Sequence, residues 1–160
     1  MRQAPPKTAL RVGRLDLDVS YASRRPWVPS AHLLIRWAAA ALPSAKPFVL
    51  SVRIVGRARS RSLNARYRHK DRSTNVLSFA GPGAAPDGRC FLGELVICAP
   101  VVAQEARAQG KAPAAHWAHM TVHGVLHLLG FDHERAPEAK KMAAREIQIL
   151  DRLGFSDPYH

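Results

Sequence analysis

The stretch His123-Gly-Val-Leu-His127-Leu-Leu-Gly130-Phe-Asp-His133 carries three histidines at a spacing that defines a local fold. His123 and His127 are four residues apart, so a helix places both imidazoles on one face, one turn apart. Gly130 can adopt a positive φ and end that helix, which lets the chain turn back and present His133. The stretch therefore predicts a helix, a tight turn and a cluster of three imidazoles.

Three imidazoles with no cysteine nearby are typical of a zinc site that keeps one coordination position open. Structural zinc sites are closed by a fourth side chain, whereas catalytic ones keep a position for water or substrate. We therefore predict one Zn²⁺ per chain, bound by His123, His127 and His133.

The spacing H-x3-H-x2-G-x2-H also matches the long motif of zinc proteases, in which a Glu after the first His is the general base. Here that position is Gly124, which has no side chain. A zinc metalloprotease is therefore an alternative hypothesis, and the missing Glu counts against it.

Two further histidines, His116 and His119, fall on the same helical face as His123 and His127. His119 is either a rival ligand or a hydrogen-bond partner that lines the same cleft. Zinc already has three better-placed ligands, so the interpretation that we favour for both residues is a polar helix face.

The chain is strongly basic: its 160 residues include 24 Lys and Arg against 12 Asp and Glu, a formal net charge of +12. Such a charge favours a polyanionic partner such as RNA, DNA or a ribonucleoprotein surface, with a general solubility charge as the alternative. A short run is especially basic, and both an RNA-binding surface and a solvated helix face are consistent with it. Its cationic residues are Arg57, Arg59, Arg61, Arg66, Arg68, Lys70 and Arg72.

Other sequence features predict a cytoplasmic protein with no membrane partner. No segment approaches the ~20 apolar residues of a membrane span, and Met1–Lys7 lacks the apolar core of a signal peptide. Cys90 and Cys98 fall in one predicted strand, too far apart to bond to each other, which is typical of reduced thiols.

Hydrophobic patterning predicts an α+β fold, with strands in the first half and helices in the second. The first 13 residues are Pro-rich and basic and are predicted to be a flexible tail, followed by a single domain over 14–160. Gly81–Gly88 is predicted to be a turn or loop. The predicted strands are 15–21, 48–55, 75–79 and 90–98, and the predicted helices are 31–42, 59–68, 100–110, 113–129 and 136–153.

Separate motifs occur in the same order as in a known family. They are Leu63–Asp71 with Asn75–Phe79, then Leu92–Ile97, then Ala115–Met120 leading into the histidine stretch. With these motifs the chain resembles the YbeY family, bacterial zinc-dependent endoribonucleases of rRNA maturation and ribosome quality control.

The resemblance implies a mixed four-stranded sheet with helices around a zinc-binding cleft, and the same three histidine ligands. It implies an active-site arginine in the Tyr-Arg pair, here Arg68. It also implies single-stranded RNA near the 3′ end of small-subunit rRNA as substrate. The small ribosomal subunit would be a partner, together with a ribosome-assembly GTPase and a small-subunit ribosomal protein.

The chain departs from the family pattern in two places. Gly56-Arg57-Ala58-Arg59 stands where the family tends to carry acidic residues, which makes the predicted cleft rim more basic. Phe131 stands where the family often has Tyr, so a hydroxyl is missing beside the third histidine.

The predicted chemistry gives specific roles to Arg68 and Asp132. The guanidinium of Arg68 stays protonated and can bind two phosphate oxygens at once, which suits the charge that develops during phosphodiester cleavage. Asp132 is predicted either to hold a ligand imidazole or accept a proton, or to form the turn after the helix. A non-catalytic RNA-binding assembly factor with a structural zinc is the remaining alternative.

Overall fold

The structure is a computed structural model that describes residues 5–160. Within this range the chain forms five strands and five helices. The strands are β1 (Lys7–Val12), β2 (Leu15–Tyr21), β3 (Phe48–Val55), β4 (Val76–Ala84) and β5 (Cys90–Cys98). The helices are α1 (Ala31–Ala41), α2 (Arg57–Arg68), α3 (Ala99–Ala108), α4 (Pro113–Leu128) and α5 (Ala136–Arg152).

The strands form one mixed sheet in the order β1-β2-β3-β5-β4. The three central strands β2, β3 and β5 are parallel, and the two edge strands β1 and β4 run antiparallel to their neighbours. The α+β class and the mixed sheet are confirmed, but the predicted strand number is wrong, because the sheet has five strands rather than four.

The additional strand is β1, which lies where we predicted a flexible tail. It pairs with β2 from Lys7 opposite Ser20 to Val12 opposite Leu15. Gly13, with a φ of 57°, occupies the two-residue turn between them. Only Leu10 of β1 is partly buried, so this edge strand lacks the alternation that reveals a half-buried strand. Residues 1–4 of the predicted tail lie outside the described residues.

The prediction of a loop over Gly81–Gly88 is partly wrong as well. Strand β4 continues to Ala84 and pairs with β5 across a register shift between Ala80 and Gly83. A bulge of this kind accommodates extra residues in one strand, so the Gly- and Pro-containing segment stays in the sheet.

Helices cover both faces of the sheet. Helices α1 and α4 pack against one face, where Trp117, Val122 and Leu126 of α4 are fully buried. Helix α2 covers part of the opposite face through Leu63, which packs with Val96 and three other buried side chains. Among residues 5–160, no helix combines the length and the apolar character that a bilayer span requires.

Helix α4 lies very close to strands β4 and β5. A Cβ built on Gly124 would lie only 2.7 Å from Cδ2 of Leu95 and 3.3 Å from Cγ2 of Val76. Gly93, with a φ of 143°, is also tightly placed, because a Cβ there would overlap the carbonyl oxygen of Phe79. These glycines let the helix that carries His123 and His127 pack directly on the sheet.

Candidate metal centre

The structure brings His123, His127 and His133 together at the C-terminal end of α4. Each offers one ligand atom, and these atoms all lie within 4.8 Å of one another. Nε2 of His127 lies 2.9 Å from Nδ1 of His133, and the His123 ring centroid lies 5.4 Å from the other two. The three imidazoles predicted from their spacing therefore converge in the folded chain.

The turn after α4 places the third histidine. Gly130 adopts a φ of 99°, and its N–H donates to the carbonyl oxygen of His127 at 3.0 Å. The N–H of Phe131 donates to the carbonyl oxygen of Leu126, also at 3.0 Å. This pattern reverses the chain direction at a helix end, which allows His133 to face the imidazoles of α4.

The surroundings of His127 favour its neutral form. Burial lowers the pKa of His127 below its usual 6.5, and the neighbouring charges of His123, His133 and Arg68 lower it further. Metal ligands must be unprotonated. Three imidazole nitrogens within 4.8 Å of one another are a donor set that suits Zn²⁺.

The three histidines face a cavity of about 520 Å³ between α2, β4 and α4. Arg68 lines the same cavity, and its Nη2 donates to the carbonyl oxygen of Ser78 at 3.1 Å. Lys70 and Arg72 line it as well. Its other lining residues are Asn64, Thr74, Asn75, Val76, Leu77, Ser78 and Glu134.

The predicted RNA-binding run divides into two groups. Lys70 and Arg72 line the cavity beside Arg68, whereas the other four cations lie on the exposed surface of α2 outside it. Two of these four donate hydrogen bonds to other side chains: Arg57 donates to Gln104 at 2.7 Å, and Arg61 donates two hydrogen bonds to Asp71 at 2.7 and 2.9 Å. The other two are Arg59 and Arg66, and the guanidinium of Arg66 lies over the ring of Tyr67 at 5.3 Å from its centroid.

Asp132 lies beside the cluster but contacts the backbone. Its Oδ1 accepts a hydrogen bond from the N–H of Glu134 at 3.0 Å, and this bond is the main cause that lowers the pKa of Asp132. The carboxylate therefore stabilises the turn that presents His133. A direct role in catalysis stays a prediction.

The polar-face interpretation of His116 and His119 is wrong, because their relative exposures are only 2% and 7%. Nε2 of His116 lies 2.9 Å from Oε1 of Glu105, and Nε2 of His119 lies 2.5 Å from Oε2 of Glu146. The alternative prediction that His119 lines the same cleft as the three clustered histidines is also wrong. His119 lines a separate cavity together with His116 and Tyr159. Each of these imidazoles thus contacts a carboxylate, which is partly exposed in Glu105 and buried in Glu146.

Glu146 is the residue that sequence reasoning missed. Its relative exposure is 1%, and Nδ1 of His123 lies 3.3 Å from its Oε2. Burial alone would raise the pKa of Glu146, but its hydrogen bonds with His119 and His123 more than offset burial and lower the pKa to about 2. One signal was available, since Glu146 interrupts the apolar stripe that Met142, Ile149 and Leu150 form on α5.

The packing around Gly124 leaves no room for the Glu that zinc proteases carry at this position. Gly124 is buried against Leu95 and Val76. Any side chain there would be directed into the sheet and would have to displace the fully buried Leu95. The position therefore cannot supply a base to the cavity without repacking the core.

Comparison with known proteins identifies the family. The family model described as Endoribonuclease YbeY matches residues 24–154. The chain belongs to the YbeY endoribonuclease family. The resemblance that the separate motifs indicated is thereby confirmed.

Curated members of the YbeY family are similar over most of their length. The Endoribonuclease YbeY of Stenotrophomonas maltophilia (strain K279a) is 53% identical over 151 residues, covering 91% of this chain and 94% of the relative. That of Xanthomonas axonopodis pv. citri (strain 306) is 52% identical over 153 residues with the same coverage.

Among solved structures, the solution structure of TM1509 from Thermotoga maritima is similar, with a TM-score of 0.47 and 24% identity. The matched region covers 79% of this chain and 86% of the TM1509 chain.

Proposed function

We propose that this chain is a Zn²⁺-dependent endoribonuclease that prefers single-stranded RNA. It would act in the cytoplasm on the 3′ end of small-subunit rRNA and in ribosome quality control. The observation that carries the proposal is the shared cavity: three convergent imidazoles and Arg68 face the same space. Membership of the YbeY family supports the class of reaction.

The residues that would hold the metal are His123, His127 and His133, because their nitrogen atoms already converge. When bound, Zn²⁺ would polarise a phosphoryl oxygen and lower the pKa of water. The cavity that these imidazoles line would hold the scissile phosphodiester.

Arg68 would bind the scissile phosphate. It is the cavity-lining arginine on α2, and its contact with Ser78 uses one of its five N–H donors. The remaining donors can bind two phosphate oxygens at once, and the fixed charge stabilises the extra negative charge of the transition state.

Lys70 and Arg72 would bind neighbouring phosphates of the strand, since both line the same cavity and are exposed. The net charge of +12 supports attraction of the ribosomal RNA over longer distances. The small ribosomal subunit, a ribosome-assembly GTPase and a small-subunit ribosomal protein are the partners that we propose.

The decisive experiment is an RNA-cleavage assay on purified protein. Single-stranded and duplex RNA of the same sequence would be incubated with protein, with chelator-treated protein and with protein reloaded with Zn²⁺. We expect cleavage of the single strand, loss on chelation and recovery with Zn²⁺.

Two variants complete that assay. His127→Ala should lose metal and activity together, while His32→Ala, at an exposed position on α1, should keep both. RNA binding without cleavage by the Zn²⁺-loaded protein would contradict the proposal and support a non-catalytic assembly factor. Cleavage of peptides but not of RNA would support a protease.

A further inference from the structure

The ring of His123 has two different neighbours. On one side it joins His127 and His133 in the cluster that faces the cavity. On the other side its Nδ1 lies 3.3 Å from Oε2 of Glu146, on helix α5. A neutral imidazole carries one proton on one of its two nitrogens, and the hydrogen-bond partner decides which nitrogen carries it.

We propose that Glu146 is a positioning residue of the metal centre. Its carboxylate accepts a hydrogen bond from the Nδ1–H of His123, and this leaves Nε2 unprotonated as the metal-binding atom. The bond also fixes the rotation of the ring about its axis. This inference rests on the proposed function, because it takes His123 as a ligand of Zn²⁺. Carboxylates that bind the second nitrogen of a ligand histidine generally increase metal affinity.

Glu146 is itself held in place from two other sides. Nε2 of His119 lies 2.5 Å from the same oxygen, Oε2, and the hydroxyl of Tyr159 donates to Oε1 at 2.8 Å. Both oxygens of this buried carboxylate are therefore occupied, by groups from α4 and from the segment after α5. A carboxylate fixed in this way can impose one orientation on His123.

An alternative arrangement uses the same atoms. His119, His123 and Glu146 also offer ligand atoms within 4.8 Å of one another, so a metal ion between them is the rival interpretation. The 2.5 Å separation of His119 and Glu146 fits a hydrogen bond. Two ligand atoms on one tetrahedral Zn²⁺ lie about 3.3 Å apart, as the bond lengths require. The distance between His123 and Glu146 at the rival site, 3.3 Å, does match that spacing, so the His119–Glu146 contact is the observation that argues against a shared ion.

The test compares Glu146→Gln and Glu146→Ala with the wild-type protein. Zn²⁺ affinity would be measured by competition with a chromophoric chelator, and the ligand field by the absorption spectrum of the Co²⁺-loaded protein. We expect Glu146→Ala to bind Zn²⁺ roughly 10- to 100-fold more weakly. Glu146→Gln should recover part of that loss, because its amide oxygen still accepts the Nδ1 proton. The Co²⁺ spectrum should keep its overall form in both variants, because the three ligands are unchanged.

Glu105→Gln is the matched control. Glu105 is a second carboxylate that contacts a buried histidine of the same helix, His116, but this histidine is not in the cavity cluster. The control should therefore change stability and leave Zn²⁺ affinity within about twofold of wild type.

The outcomes separate this inference from the proposed function. Failure of the wild-type protein to bind Zn²⁺ would contradict the proposed function. Wild-type binding together with an unchanged affinity of folded Glu146→Gln and Glu146→Ala would overturn the positioning role alone. Retention of Zn²⁺ by His127→Ala and its loss in His119→Ala would also overturn it, because the metal would then occupy the rival site.

Discussion

The guanidinium of Arg68 on α2 donates a hydrogen bond to the carbonyl oxygen of Ser78 on β4 over 3.1 Å. The hydroxyl of Ser78 in turn donates to the carbonyl oxygen of Gly124 on α4 at 3.3 Å. Arg68 is thus connected through one strand residue to the helix that carries two of the three clustered histidines. The connection orients the guanidinium at the cavity while leaving most of its donors unused.

Arg68→Ala should retain the fold and Zn²⁺ but lose most cleavage activity. Removing one group that stabilises transition-state charge costs a factor of roughly 10² to 10³ in rate. Arg68→Lys should recover little, because an ammonium cannot make the paired contact with two oxygens. Single-turnover cleavage of a labelled RNA, alongside metal analysis, would measure both properties.

The control for this prediction is Arg66→Ala, which removes an exposed arginine of the same helix that does not line the cavity. It should lower RNA affinity slightly and leave the chemical step unchanged. Native single-turnover cleavage by Arg68→Ala would show that Arg68 belongs only to the basic surface.

RNA affinity should depend steeply on salt concentration. We expect Lys70 and Arg72 to account for a measurable part of the slope of log affinity against log salt. Each phosphate contact to a single strand contributes a slope of about −0.7 in a plot of log affinity against log salt. The double variant Lys70→Ala/Arg72→Ala should therefore reduce the slope by about 1.4 in magnitude. Fluorescence anisotropy over a range of salt concentrations would give both slopes.

A second double variant, Arg36→Ala/Arg152→Ala, provides a control with the same change in net charge. Both arginines are exposed on helices α1 and α5 and do not line the cavity. An equal loss of slope in the two double variants would mean that net charge, and not the cavity, determines the salt dependence.

Gly124→Ala should destabilise the protein by about 1–2 kcal/mol, within the usual range for overpacking. The new Cβ would lie 2.7 Å from Cδ2 of Leu95, and this crowding should outweigh the better helix propensity of alanine. Urea unfolding followed by circular dichroism would measure the free energy of unfolding.

In the background of Leu95→Val the same change should cost less, because the shorter side chain leaves space for the methyl group. A double-mutant cycle measures this coupling. Additive effects of the two substitutions would contradict a direct steric contact between positions 95 and 124.

Acid stability should depend in part on Glu105. Burial alone would raise its pKa, but hydrogen bonds with His116 and Asn75 more than offset burial, so the pKa lies below its usual 4.5. A carboxylate with a lowered pKa in the folded state stabilises the fold above the unfolded pKa. That contribution is lost as the pH falls through the folded pKa. Glu105→Gln cannot titrate, so its free energy of unfolding should fall less than that of wild type between about pH 5 and pH 3.

Urea titrations at both pH values, on wild type and variant, would measure this difference. An identical pH dependence of the two proteins would show that the carboxylate of Glu105 has the same pKa in the folded and unfolded states.

The parts of the site that the sequence predicts are those whose residues lie close together along the chain. The three clustered histidines lie within eleven residues, on a helix and the turn after it, so their spacing and Gly130 define the geometry. Glu146 is 23 residues from His123, and only the packing of α5 against α4 brings them together. Its single local signal is a carboxylate within an apolar stripe, which does not identify its partner.

The errors in the predicted fold have similar causes. Strand β1 was missed because an edge strand with one partly buried residue has no hydrophobic alternation. The extension of β4 was missed because glycine and proline predict turns, while the bulge after Ala80 accommodates them in the ladder. The sequence predicts a polar surface position for His116, because its partner Glu105 lies on the preceding helix α3 and the spacing along α4 does not reveal it.

The close approach of α4 to the sheet has a consequence for protein design. Two enzymes can share the spacing of their metal-binding histidines, and yet one activity cannot be converted into the other by substituting a single catalytic residue. On this scaffold the position after His123 has no room for a carboxylate, since Leu95 and Val76 occupy that volume. A designer seeking peptide hydrolysis here would have to bring a base from another wall of the cavity, such as β4, or lift the helix off the sheet.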